Sequence, residues 1–445
     1  MFEFIFLIIL LLIMVLFSYT VFKGDLLSPS FLSAAMYLLS CFIMLIYFRE
    51  WNVEYSFLTG AVIVFSIICV FIGEYFAVTT KKKRNIIDEQ EQNEEGPIKI
   101  GQLSAIFCFV FSIITAVLYY QEISRVVANS AYASSIYGQA YTFLMQYNWA
   151  KILEGASIAY YVQHMYTLSH AIALVNLYIL VYNRILHGKQ KKSLIPILTI
   201  VVYLITSLMT SGRTGLLNFA IYIIVVWIIL FYKKRDWVHK NNIKVLIKGV
   251  GIIAVAILLF YIAGFLTAKS LVYDNFFDNF ANYFSSSIYG LNEYIKAPAS
   301  FATNEGFFGA HTFSGIYSFL RTLGIKIPPS IVALEYIRCG KYNSNIYTPL
   351  RRYMQDFTVL GLGFIMILIG YIYKRAIISL KQTKNFNLNC ILVAMFFYPL
   401  LFISIEERFF MDVIMMRSIY EIIYVFFIYQ LIVKKKFFVW KIHIR

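Results

Sequence analysis

The chain has 445 residues, 60% of them apolar and only 14% charged, against roughly 45 to 50% and 25% in a soluble domain, so a soluble globular protein is excluded. A net charge of +16 would point to nucleic acid in a soluble chain. Its distribution along this chain follows membrane topology instead, and nucleic acid is not an expected partner.

A run of about 18 or more apolar residues can cross the roughly 30 Å hydrocarbon core as a helix. Eleven such spans are predicted, at about 2–22, 30–48, 56–78, 101–120, 165–183, 194–210, 214–232, 247–268, 357–373, 387–404 and 418–433. The expected fold is all-α and polytopic, a single integral membrane domain over 1–445. The first span follows Met1-Phe2-Glu3 with no basic segment before it and no small-residue cleavage pattern behind it, so it is expected to stay in the protein. Alternate loops, starting after the first span, hold 25 of the 39 basic residues although the longest loop lies on the other side. The positive-inside rule then puts the N-terminus outside and the C-terminus in the cytoplasm.

Between spans three and four, a linker over 79–100 carries Lys81 to Arg84 and then Asp88, Glu89, Glu91, Glu94 and Glu95; it is too polar to pack and reads as a charged cytoplasmic connection. The outer side has a loop over 121–164 and a large one over 269–356, long enough for short helices on or partly in the membrane. Aromatic residues are no denser in that large loop than elsewhere, which suits interfacial anchoring. Four of the five cysteines (Cys41, Cys69, Cys108, Cys390) fall in spans and Cys339 stands alone in the loop, so neither a disulfide nor a metal site is suggested. No internal repeat is visible, which weighs against transporter folds built from inverted repeats.

Walker loops, H-E-x-x-H, G-x-S-x-G and Cys/His metal clusters are absent, so neither cofactor nor metal is expected. External arginine is the informative residue, because topology works against it. Ser211-Gly212-Arg213-Thr214-Gly215 joins spans six and seven and pins Arg213 beside a helix N-terminus, where an anion would compensate it; the alternative is an arginine snorkelling to lipid phosphate. In Tyr347-Thr348-Pro349-Leu350-Arg351-Arg352, Thr348 reads as an N-cap and Pro349 as the first helical residue, placing both arginines in the opening turn. Asp356 lies on the face of Arg352, four residues on, and reads as its structural, orienting partner. From 321 to 352, Arg321, Lys326, Arg338, Lys341, Arg351 and Arg352 face a single acid, Glu335. Arginine forks match phosphate oxygens, so a diphosphate guest bound by Arg213, Arg321, Arg338, Arg351 and Arg352 is expected, with adhesion to anionic lipid headgroups as the alternative. His311, the single histidine of the large loop, can take a proton from an attacking hydroxyl or serve the loop's structure. His170 and Glu421, inside spans five and eleven, read as an interhelical hydrogen bond rather than an ion path.

The large outer loop, Ser211-Gly212-Arg213-Thr214-Gly215, Gly309-Ala310-His311-Thr312-Phe313, and Asn345-Ile346-Tyr347-Thr348 leading through Arg352 to Asp356-Phe357 and Gly361 resemble the oligosaccharide repeat-unit polymerases of O-antigen and capsule (Wzy type), relatives of the O-antigen ligases. The resemblance covers roughly 205–365. It implies metal-independent glycosyl transfer at the outer face of the bacterial cytoplasmic membrane. In that reaction a hydroxyl of one undecaprenyl-diphosphate-linked oligosaccharide attacks C1 of the sugar on another, and lipid diphosphate leaves. It further implies Arg213, Arg351 and Arg352 on the diphosphate, His311 as base, and a flippase and a chain-length regulator as partners beside membrane lipids. In the family the basic residues often spread over two outer loops, whereas here one is only a turn. A flippase for lipid-linked oligosaccharides would carry its charges among the spans, and a ligase would differ only in acceptor. A transferase using lipid monophosphate sugars would carry acids in the first outer loop, where this chain has Arg49, Glu50 and Glu54.

Overall fold

The computed structural model describes residues 1–80, 96–131, 143–188, 194–239, 242–266, 273–301, 307–383 and 385–434. The charged run of the 79–100 linker and the basic residues Lys189 to Lys192, Lys240 and 435–445 lie outside them. Helices and their connections make up the described chain, with one short hairpin as its sheet. Its helices are α1 Phe2–Val21, α2 Pro29–Tyr47, α3 Phe57–Thr79, α4 Gln102–Asn129, α5 Phe143–Leu153, α6 Tyr160–Leu186, α7 Leu194–Met209, α8 Thr214–Lys233, α9 Asn242–Leu266, α10 Phe276–Lys296, α11 Ser314–Thr322, α12 Pro349–Leu380, α13 Phe386–Met395, α14 Tyr398–Leu401 and α15 Met416–Tyr429. Strands β1 (Ile337–Cys339) and β2 (Tyr342–Ser344) pair antiparallel through Ile337↔Ser344.

Among the described residues eight helices are long and apolar enough to cross a membrane: α1, α2, α3, α4, α6, α8, α12, and α15 with its continuation to Lys434. The other predicted spans fall on shorter apolar stretches, α7, the Ile257–Leu266 part of α9, and α13 with α14. Local chemistry sets several ends. Pro29 opens α2 with the Ser28 hydroxyl accepting from the Phe31 amide, and the Asn275 side chain caps α10 at the Asp278 amide (2.9 Å).

The closest helix pairing joins α3 to α12, and glycine makes it possible. A Cβ on Gly73 would lie 1.9 Å from the Ile367 carbonyl oxygen, and one on Gly370 would lie 2.2 Å from that of Val70. With lipid as apolar as leucine, such backbone approach is what drives helices together in a bilayer. Gly73→Leu is therefore expected to separate the pair and cost about 3 kcal/mol or more. The check is thermal unfolding of purified protein in detergent, where an unchanged midpoint would refute the close packing.

Hydrogen bonds sort the connections onto two faces. On one, Lys374 Nζ meets Asp25 (2.8 Å) and Glu74 (3.0 Å), the Leu26 amide donates to Tyr232 Oη (2.9 Å), Lys234 reaches the Ile185 carbonyl (2.6 Å), and Asn183 pairs with Ile98 (2.9 Å). On the other, Tyr47 donates to Asp278 (3.0 Å), the Ser56 amide to Asn292 (2.9 Å) and Lys151 to the Thr210 carbonyl (3.3 Å). The described residues of α10 belong to the second face. There α10 packs along the C-terminal half of α2 and meets the start of α3, with Ser285 and Ser287 donating to the carbonyls of Ser40 (2.9 Å) and Ser404 (2.6 Å).

Helix α12 is broken at Thr358, whose φ of 62° is strained for a β-branched residue. The break separates a short loop helix, Pro349 to Phe357, from the membrane-length part. Thr348 and Pro349 occupy the expected cap and first-turn positions, with no hydrogen bond from the threonine side chain to the helix.

Candidate functional site

Two polar clusters stand on the loop face. The first centres on the turn 309–313, where Gly309 takes a φ of 70°. Asp356 accepts from the amides of His311 (3.1 Å) and Thr312 (2.7 Å), while Arg352 donates to the carbonyls of His311 (3.0 Å), Ile331 (2.8 Å) and Val332 (2.6 Å). The expected pairing of Arg352 with Asp356 is thus replaced: one turn of helix grips both polarities of the same backbone turn. Burial of this segment is the reason, because dry amides and carbonyls must be satisfied and the two charged side chains are the groups in reach.

Arg351 is fully buried, ion-paired to Glu335, with its guanidinium 4.0 Å from the Tyr347 ring centre and 4.8 Å from that of Phe301. Both arginines of the opening turn are therefore engaged by the loop itself. His311 is fully buried, and neither ring nitrogen has a hydrogen-bond partner among the described residues. Burial, more than the neighbouring arginines, holds this imidazole below its ordinary range, so it is neutral at pH 7.

The second cluster is built around Arg213, the N-cap residue of α8. The left-handed residue of its turn is Ser211 (φ 58°) rather than a glycine. Arg213 Nη1 donates to Asn279 (3.4 Å), and the guanidinium lies 4.6 Å from the Phe260 ring centre. No carboxylate pairs with it among the described residues. Burial lowers its pKa, but from so high a value that it stays charged. Tyr283 of α10, hydrogen-bonded to Thr214, lies in the fields of Arg213, Arg408 and Glu406 and so connects the turn to the segment between α14 and α15.

That segment is what the sequence reading passed over. Ser404-Ile405-Glu406-Glu407-Arg408-Phe409-Phe410-Met411-Asp412 holds four ionisable residues between two apolar runs. Arg408 pairs with Glu406 and with Asp412 (3.1 Å). Glu407 accepts from Tyr353 Oη (3.1 Å) and from the amides of Phe410 (2.8 Å) and Met411 (2.9 Å). A small cavity lies beside Glu407, Arg408, Tyr353 and Tyr373. The two clusters meet here, since Gly315 of α11 packs directly on the Phe410 and Met411 carbonyls. The signal available in sequence was the charge density of a short connection, which attention to loop length hides.

Burial pushes the Glu407 carboxyl up to about 7. Its folded pKa is raised above the unfolded value near 4.3, so its contribution is fully present below that value and is lost as pH rises through about 7. The wild-type melting temperature is expected to fall between pH 5 and 8, and Glu407→Gln to flatten that slope. Parallel slopes for the two proteins would show that Glu407 ionises freely.

Arg321 and Arg338 stand at the loop surface, each bonded to a carbonyl of its own segment, Pro328 (2.9 Å) and Gly340 (3.1 Å). His170 pairs with Glu421 (3.4 Å), which also accepts from Arg417 (3.3 Å), an interhelical bond between α6 and α15 as the sequence suggested. The chain matches no protein-family model, and neither a curated protein nor a solved structure is significantly similar to it.

Proposed function

We propose that the chain is a repeat-unit polymerase: a glycosyltransferase that joins undecaprenyl-diphosphate-linked oligosaccharides at the outer face of the bacterial cytoplasmic membrane, for capsule, exopolysaccharide or O-antigen. In this reading eleven spans cross the bilayer, the N-terminus is outside, and the loop face is the outer face. The observation that carries it is Arg213. A guanidinium held at a helix N-terminus, largely withdrawn from water and without a carboxylate partner among the described residues, is a seat for an anion.

A row of rings supports a lipid carrier as the anion's bearer. Phe276, Phe280 and Phe284 stack along one face of α10 (5.9 and 4.5 Å between centres), and Tyr261 and Phe260 of α9 meet that helix at Phe276 (4.9 Å) and Tyr283 (4.8 Å), next to Arg213. An apolar chain lying there would bring its diphosphate to Arg213. As the sugar C1–oxygen bond breaks, charge accumulates on the leaving diphosphate, and a preorganised guanidinium stabilises it without a metal. The acceptor hydroxyl forms the new bond to C1 and gives up its proton. His311 is the base assigned to that proton; its neutral ring keeps a nitrogen lone pair that no described residue occupies, and Arg352 and Asp356 fix the turn that carries it. Arg351 and Arg352 support the site from behind in this scheme, and Arg321 and Arg338 remain available at its rim.

One observation favours a flippase as the second reading: charged side chains do lie among the helices, at Asp25–Lys374–Glu74 and at His170–Glu421–Arg417. Deleting the gene separates the two. Cells displaying single repeat units on their surface glycan identify a polymerase, and loss of all surface glycan identifies a flippase or ligase.

A further inference from the structure

Apart from Arg321 at the rim of the site, the segment 307–336 presents an outward face to which the reaction above assigns no role. Its inward groups are engaged, the carbonyls of His311, Ile331 and Val332 by Arg352 and the Glu335 carboxylate by Arg351. Its outward side chains are large and apolar: Phe308, Leu323, Ile325 and Val332 are 72%, 56%, 48% and 56% exposed. Among them stand Arg321 and the exposed Lys326, while the acid of this segment, Glu335, already faces Arg351.

Two contacts fix where this face lies. Helix α11 packs on the start of α15 and on the Phe410 and Met411 carbonyls just before it. The outer side of α15 carries exposed Ile419, Ile423 and Phe426, a surface that suits lipid. Independently, the Phe308 ring sits 4.9 Å from that of Phe357, at the break where α12 begins its membrane-length part. One and two turns further on, Leu360 and Phe364 are 84% and 69% exposed. The apolar residues of the segment thus continue the lipid-facing surfaces of two membrane-length helices, at the ends where those helices leave the hydrocarbon. Basic residues bordering such a surface meet the lipid phosphates.

We propose that residues 307–332 form a collar seated in the leaflet on the loop face, with Phe308, Leu323 and Ile325 among the acyl chains and Arg321 and Lys326 on the phosphates of anionic headgroups. The occupant of this surface is the bilayer rather than a protein. Because Arg352 binds the collar's carbonyls and Asp356 its amides, headgroup contact steadies the His311 turn from outside. The proposal is independent of whether the chain is a polymerase.

The test uses full-length protein in nanodiscs of phosphatidylcholine with phosphatidylglycerol, spin-labelled at Leu323→Cys or Ile325→Cys; the five native cysteines are buried. Oxygen is expected to relax both labels more strongly than a water-soluble nickel chelate, placing them below the phosphates. Nickel dominating at both positions would overturn the collar, as would labels shielded from both reagents, which would indicate protein cover. The Arg321→Glu/Lys326→Glu pair is expected to raise nickel access severalfold in anionic nanodiscs and to change nothing in pure phosphatidylcholine. An equal change in both compositions would overturn the headgroup pairing.

Discussion

Arg213→Lys is expected to leave the protein at its normal level in the membrane and to cut polymer extension about a hundredfold or more, because a point charge does not reproduce a fork that spans two phosphate oxygens. Among the described residues the side chain makes one hydrogen bond, to Asn279, and stacks on Phe260, so little of the described fold depends on its shape. Loss of activity without loss of protein is the signature of a group reserved for a ligand. The measurement is polymer length on gels of cell-surface glycan together with quantified membrane protein. Full-length polymer from this variant would remove the diphosphate from Arg213 and leave the snorkelling alternative. A lysine variant that fails to accumulate would instead assign the residue to the fold.

The second large effect is structural. Arg352→Met is expected to release the 307–336 segment, because three carbonyls lose charge-assisted donors at once, the buried one of His311 at about 1 to 3 kcal/mol and the half-buried ones of Ile331 and Val332 at less. Hydrogen exchange should show the segment opening while α3 and the membrane part of α12 stay protected. Activity should be lost with it. His311→Ala makes the informative contrast: it removes a ring without hydrogen-bond partners among the described residues, so exchange should stay closer to wild type than in Arg352→Met while extension falls at least about a hundredfold. Near-normal extension from His311→Ala would demote the ring to packing. Unchanged protection in Arg352→Met would refute the carbonyl grip.

Much of the architecture was legible in sequence because crossing hydrocarbon is a local constraint. A helix must satisfy its own backbone, so about 20 apolar residues announce themselves without reference to neighbours. Helices α1, α2, α3, α4, α6, α8, α12 and α15 lie where the runs placed them, and the cap at Thr348-Pro349 followed from the same local rules. The shorter α7, α13 and α14 were less visible in kind, since the predicted run 387–404 conceals a break at Phe396 and Phe397.

Arginine roles could not be read the same way. In sequence, Arg213, Arg351 and Arg352 are three outer guanidinium groups of equal standing. Packing divides them: Arg352 satisfies backbone carbonyls 20 to 41 residues away, Arg351 meets Glu335 inside an aromatic cage, and Arg213 alone of the three faces no acid or backbone carbonyl among the described residues, its bond going to the Asn279 side-chain amide. Glu407 and Arg408 went unnoticed because a short connection between two spans gives no hint of what folds over it.

The sequence by itself determined that this is a helical protein with several segments long and apolar enough to cross a membrane, since hydropathy and helix length are properties of consecutive residues. Only the tertiary structure decided which charges are consumed by the loop and which stay available. The field and partners of a buried ion come from segments far apart in the chain, here 211–214, 276–284, 307–312, 331–335, 351–356 and 404–412. Desolvation, which makes an unpaired charge costly enough to be informative, exists only once those segments have met.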